Sequence, residues 1–226
     1  MDLAFIVENS FRNLNWDWHK ITGFINSIIK RIPIDPCGRV NRVALVENSE
    51  SEKHSVAFYL DEYIGKSKND IISRVSSIPH IGTRNSLYSS IELTMDYIFN
   101  TTFGDRLDVV NAVVLIIRTT KDDQNPTAQT IQRAINKLHR KAKVVVVIGI
   151  GSEEDVPMQM LKTLSVGPEG LDKTRSKRAL ADTADYFLQV RKIFIQQMHT
   201  KSSLFLLSIT LLSQGWQGMR QGSDHH

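Results

Sequence analysis

Two runs constrain the fold more than anything else in the chain: NAVVLIIR (111–118) and AKVVVVIGIG (142–151), each apolar and β-branched over the length of a strand. Side chains on a strand alternate between its faces, so a strand with one wet face alternates apolar and polar residues. An uninterrupted run is wanted only where both faces are covered, as in the centre of a parallel sheet flanked by helices. The opening stretch DLAFIVE (2–8) has the same character, and RVALVEN (42–48) reads as a further strand. These strands are separated by segments of helical period. Residues 14–31 carry Trp16, Trp18, Ile21, Phe24, Ile25, Ile28 and Ile29, most of them at helical spacing.

The remaining elements follow the same logic. SESEK reads as a hairpin loop and HSVAFYL (54–60) as the return strand, antiparallel and at the edge. DIISRVSSI is a helix that Asn69 or Asp70 can cap, and residues 84–99 form a second helix with Leu87, Ile91, Leu93, Met95, Tyr97 and Ile98 as its apolar positions. Residues 125–141 form a helix with Pro126 near its start and basic residues in its last turn, where they suit the helix dipole. VPMQMLKTL is a short helix, and TADYFLQV (183–190) is the last strand, with a helix after it. The loop 165–181 is the one irregular insertion, and the chain reads as free of internal repeats and low-complexity linkers. The predicted class is α/β: a doubly wound, mostly parallel central sheet with one antiparallel edge strand and helices on both faces.

The 226 residues, 41% hydrophobic and 23% charged, suffice for one sizeable core. The net charge of +4 is too small to argue for nucleic acid. One cysteine, Cys37, permits no internal disulfide and sits in a turn marked by Pro and Gly; in a secreted parent it could pair with another chain. The apolar stretch 202–212 is about half the length needed to span a bilayer. The chain begins almost at its first strand, so a leader or preceding domain is expected outside it. His225 and His226 read as a tag remnant.

Ligands of such sheets bind beyond the carboxyl ends of the strands, here 8–12, 48–51, 118–123 and 149–155, with the turn 80–86 beside them. No catalytic signature falls there. The first strand is followed by ENSFRN, without the glycines of a dinucleotide site; GIGS after the later strand suits a tight turn. The chain contains no Walker phosphate loop, no G-x-S-x-G elbow and no H-E-x-x-H pair, so an enzyme reading finds no constellation to carry it. Two basic clusters, 137–143 and 172–178, ordinarily read as solvated faces. Together Lys137, Arg140, Lys141, Lys143, Lys173, Arg175, Lys177 and Arg178 could form an anion patch for an acidic polysaccharide. Asn100 opens a glycosylation sequon, used only if the chain enters the secretory route.

Five segments, in order and spacing, resemble the von Willebrand factor type A domain over roughly residues 1–195. DLAFIVENSFRN resembles the family's opening strand and metal turn, D-x-x-F-x-x-D-x-S-x-S; RVALVENSES with VAFYLDEY resembles its second strand and hairpin. ISRVSSIPHIGTRNSLYSSIEL resembles the segment holding its G-G-T-x-T turn, NAVVLIIRTTKDDQ the strand that ends I-T-D-G, and KVVVVIGIGSEED the V-x-x-I-G-I-G strand. The resemblance implies a module of adhesion or extracellular matrix proteins. Residues 196–226 would be a C-terminal extension, an added helix or loosely packed tail.

Many members of that family hold Mg²⁺ through hard oxygen ligands at the carboxyl edge. The matching positions here are Glu8, Ser10, Arg12, Arg84 (or Thr83 with a one-residue slip) and Thr119. The acid is a methylene longer, the second serine is Arg12, and the last carboxylate is the neutral Thr119, so the resemblance implies a degenerate site with no metal and no cofactor. The expectation is a non-catalytic, secreted adhesion module that binds matrix protein, collagen-like among the candidates, with no nucleic acid and no membrane span. The alternatives are an intracellular scaffold of the same fold and an α/β enzyme with an unrecognised site.

Overall fold

The computed structural model describes residues 1–9, 15–48, 55–80, 87–117, 126–150 and 158–166. Within them the elements run β1 (Asp2–Glu8), α1 (Asn15–Arg31), β2 (Arg42–Asn48), β3 (Ser55–Phe58), α2 (Lys68–Ser77), α3 (Leu87–Leu93), β4 (Asn111–Ile117), α4 (Ala128–Lys141), β5 (Val144–Gly149) and α5 (Met158–Val166). The strands form one sheet in the order β3-β2-β1-β4-β5. β1 pairs in parallel with both β2 and β4, β4 pairs in parallel with β5, and only β3 is antiparallel, at the edge against β2. The fold is therefore the doubly wound α/β sheet that the apolar runs predict. The order of connection reverses between β1 and β4, which places the ligand crevice of such sheets beside the end of β1.

Both faces of the central strands are covered. Leu3, Phe5 and Val7 of β1, with Val114, Ile116, Val146 and Ile148, pack under α1 and α2. Ala4 and Ile6, with Val113, Leu115, Val145 and Val147, pack under Ile91 of α3, Leu138 of α4 and Leu161 of α5. In α1 the buried Trp18, Ile21, Phe24, Ile25, Ile28 and Ile29 make one stripe, the period-3.6 pattern realised as packing.

The boundaries differ from the sequence reading where side chains compete for backbone. The sequence allows Asn69 or Asp70 to cap α2; the cap is Ser67, whose Oγ accepts from the Asp70 N–H at 3.3 Å. Asp70 completes a capping box by accepting from the Ser67 N–H at 2.7 Å. The helix expected over 84–99 begins as α3 and widens into a π-helical turn, Thr94–Ile98. There the Phe99 N–H reaches back to the Thr94 carbonyl at 3.0 Å, and Thr94 Oγ1 donates to the Ser90 carbonyl at 2.8 Å. Lys141 stabilises that turn from α4, with its ammonium 2.6 Å from the Met95 carbonyl and 2.7 Å from that of Phe99. The hairpin loop SESEK, most of the loop 165–181, the strand expected at 183–190 and the extension 196–226 lie outside the described residues.

Candidate functional site: the carboxyl edge of the sheet

The edge at which β1 and β2 end is built from buried polar side chains: Glu8, Asn9, Glu47, Asn48 and Ser90. Strand pairing explains how they are distributed. Glu8 lies opposite Asn48, and Val7 lies opposite Glu47. Paired residues of parallel strands share a face, so Glu47 follows Val7 toward α1 and α2 while Glu8 and Asn48 follow Ile6 toward α3.

On the α1/α2 face Asn9 is the hub. Its Nδ2 donates to Glu47 Oε2 at 2.5 Å and to the Pro79 carbonyl at 3.1 Å, and its backbone N–H donates to the Asn48 carbonyl at 3.1 Å. Burial pushes the Glu47 carboxyl above its ordinary value, opposed by the Asn9 hydrogen bond and by the positive charge of Arg74. Arg74 is itself anchored by Nε and Nη2 on the Ala57 carbonyl, 3.3 and 3.1 Å away. Trp18 Nε1 donates to the Ile78 carbonyl at 2.9 Å, which fixes the exit of α2 against α1. On the other face Ser90 Oγ donates to Asn48 Oδ1 at 2.9 Å, which ties the start of α3 to the end of β2. The strand ends are thus locked to the segments on both sides of the sheet before any loop beyond them is considered.

Of the positions matched to the metal turn, Glu8 is described and buried; Ser10, Arg12, Thr83, Arg84 and Thr119 lie outside the described residues. Among the described residues no three His, Cys, Asp or Glu side chains are grouped so as to hold a metal ion. The sequence reading placed Asn9 and Asn48 within the strand ends 8–12 and 48–51 without singling them out, and it passed over Glu47 and Ser90, although a signal existed. The tetrapeptide V-E-N-S occurs twice, at 7–10 and 46–49, at the ends of two strands that prove to be neighbours.

The basic cluster of α4 is partly engaged within the chain. Lys137 pairs with Asp96 at 2.6 Å, and Lys141 holds the π-helical turn. Arg140 is exposed and Lys143 half-buried, while Lys173, Arg175, Lys177 and Arg178 lie outside the described residues. Asn100 and Cys37 are both exposed. Among the described residues no helix is long and apolar enough to cross a membrane.

No curated protein matches the sequence. Among solved structures, proximal thread matrix protein 1 from the mussel byssus superposes with a TM-score of 0.60 at 16% identity, over 73% of this chain and 40% of that one. A second structure of that protein, described with a zinc-occupied MIDAS motif, superposes with a TM-score of 0.63 at 15% identity, over 84% of this chain and 47% of that one. The chain therefore spans less than half the length of these neighbours, and at such identities the likeness establishes a shared fold. The sequence model described as von Willebrand factor type A domain matches residues 2–186, five parallel-dominated strands and their helices included, and the chain belongs to that family.

Proposed function

We propose that this chain is a non-catalytic protein-binding module of a secreted extracellular matrix protein, which engages a matrix partner, collagen-like in the first instance, at the carboxyl edge of its sheet and without a metal ion. The observation that carries the reading is the type A match across residues 2–186. The fold neighbour, a matrix protein of the mussel byssus, agrees with it. The buried Glu8–Asn48 and Asn9–Glu47 rows support it as well, because they give the edge a rigid base on which the loops beyond can present a binding surface.

The donor chemistry argues for the metal-free half of the proposal. Mg²⁺ demands a near-octahedral set of hard oxygens. The matched positions offer one carboxylate, Glu8, with Ser10 and the neutral Thr119, and they bring in Arg12 and, in the ungapped match, Arg84. A guanidinium about 4 Å from a cation costs roughly 4 kcal/mol per unit of cation charge at an effective dielectric of ~20. Those residues do not suit a divalent ion. An acidic polysaccharide is a secondary partner class; it would rest on Arg140, Lys143 and the 172–178 cluster, since Lys137 and Lys141 have partners of their own.

Surface plasmon resonance against triple-helical peptides and a panel of matrix proteins tests the reading, run in chelator and then in Mg²⁺, Mn²⁺ or Zn²⁺. Binding of equal strength in all four buffers is the expected result. Binding that chelation abolishes and metal restores would overturn the metal-free claim, and silence across the whole panel would overturn the matrix-binding claim. Heparin retention no stronger than the net charge explains would remove the polysaccharide.

A further inference from the structure

We propose that Asn100 carries an N-linked oligosaccharide at the sheet end opposite the carboxyl edge, with its first sugar resting on the ring of Tyr97; the proposal rests on the extracellular reading above. Asn100-Thr101-Thr102 is the one N-x-[ST] triplet in the sequence with a middle residue other than proline. The structure gives it a defined local form. Asn100 is exposed, extended at φ −134° and ψ 137°, and caps the short 3₁₀ turn Thr101–Phe103. Its Oδ1 accepts from the Thr102 N–H at 3.0 Å, an Asx turn that folds the third residue of the triplet back onto the acceptor amide. Nδ2 makes a single contact of 3.3 Å to the Asp96 carbonyl. An amide nitrogen has two N–H bonds. One can be replaced by a bond to sugar while the other retains that contact, so the folded chain accommodates the product.

The surroundings suit a glycan. Tyr97 is 54% exposed, one of the few large apolar side chains left open among the described residues. Its ring lies 6.3 Å from that of Phe103, which stacks on Tyr59 at 4.8 Å. The three rings form a row whose outer member faces solvent three residues before Asn100. A pyranose presents a face of C–H bonds that can cover such a ring. The segment leads into β4, whose first residue, Asn111, pairs with Asp2 at the start of β1. A glycan there stands at the amino edge, a full strand length from Glu8, and leaves the proposed binding edge open. In the transfer itself Nδ2 forms a bond to C1 of a lipid-linked oligosaccharide diphosphate. The C1–O bond breaks, its electron pair leaves with the lipid diphosphate, and one amide proton passes to a base of the transferase.

The test is translation of the full chain, with a cleavable leader added, in the presence of microsomes derived from the endoplasmic reticulum. Protease protection reports entry. The expected result is a protected chain with a single glycan step in mass that endoglycosidase removes. The step should be absent in Asn100→Gln and Thr102→Ala and retained in Thr101→Ala. A protected chain without the step overturns the proposal and leaves the extracellular reading standing, whereas native protein confined to the cytosol overturns the extracellular reading whatever the microsomes return. The sugar–ring contact is read separately. The glycosylated chain should melt about 2–4 °C above its endoglycosidase-treated form, and Tyr97→Ala should erase the difference. Equal melting of the two forms of the parent chain would overturn the contact.

Discussion

Replacing Arg106 with Met should destabilise the fold by about 3–5 kcal/mol, a large share of the roughly 5–15 kcal/mol that holds a domain together. The reason is the burial of its partner. Asp2, the first residue of β1, has a side chain with 0% exposure, and Arg106 retains 15%. Arg106 Nη2 and Nε sit 2.6 and 3.0 Å from Asp2 Oδ1, and the Arg106 backbone N–H sits 2.9 Å from Oδ2. The guanidinium also donates to the carbonyls of Arg39 at 2.6 Å and of Gly38, Val40 and Met1 at 3.2 Å. Water can replace it at carbonyls near the surface. It cannot reach the Asp2 carboxylate, which would keep only one backbone N–H. The Lys137–Asp96 pair is the control. It has the same 2.6 Å separation, but with 35% and 46% exposure, so Lys137→Met should cost less than about 1 kcal/mol. Arg106→Lys should lose more than half of what Arg106→Met loses, because an ammonium cannot span the same fork. Urea unfolding, with the slope checked for constancy, measures all three variants. If Arg106→Met and Lys137→Met agree within about 1 kcal/mol, burial is not what gives the Asp2 pair its strength, and the reasoning fails.

Glu47→Gln keeps an acceptor for Asn9 and removes a buried charge. Because burial raises the Glu47 carboxyl in the fold, the folded state holds that proton more tightly than the unfolded chain does. Stability contributed by this group is therefore full below the unfolded value of about 4.5 and declines as pH rises through the folded value. The Gln variant should match the parent in acid and exceed it by on the order of 1 kcal/mol at pH 8, in urea melts across that range; a parent that gains on the variant as pH rises would refute the sign. Two glycines should respond in opposite directions. A Cβ at Gly23, exposed in the middle of α1, meets nothing within 4 Å, so Gly23→Ala should stabilise by about 0.5–1 kcal/mol. A Cβ at Gly104, with φ +92°, would stand 2.8 Å from the Asp61 backbone nitrogen, so Gly104→Ala should destabilise by about 1–3 kcal/mol; thermal melts that rank the pair the other way would refute both assignments.

The central strands were legible because burial on both faces leaves only one kind of sequence. VVLII and VVVVI suit a strand covered on both faces; 2–8 and 42–48 appear as strands at the bounds read from the sequence, and the runs 111–118 and 142–151 hold the strands Asn111–Ile117 and Val144–Gly149. The ends of helices were less legible, because short polar side chains decide them. Ser67, Asn69 and Asp70 can each cap α2 by residue type, and only the geometry selects Ser67 as cap and Asp70 as its reciprocal partner. The π-helical turn after α3 left no periodic signal. Its register change depends on Thr94 bonding back to Ser90 and on Lys141 arriving from α4, forty-odd residues away in sequence. A local pattern cannot carry that information.

The candidate site failed to show itself for a related reason. Attention to acids and hydroxyls at one strand end finds Glu8 and Ser10, and it overlooks that the second strand ends in the same four letters. The repeat has a structural consequence only once the register is known. β1 and β2 pair with a stagger of one position, Val7 opposite Glu47 and Glu8 opposite Asn48. Since neighbouring positions face opposite sides of a sheet, the stagger sends the two glutamates to opposite faces and keeps two carboxylates from meeting in a buried edge. Each glutamate position is thereby set beside an amide position, Asn9 toward Glu47 on one face and Asn48 opposite Glu8 on the other. Register without the stagger would place Glu8 directly opposite Glu47, where like charges in a low-dielectric edge would force one of them to bind a proton or a cation. The stagger keeps the two glutamates on opposite faces of the buried edge, each beside an amide position rather than beside the other.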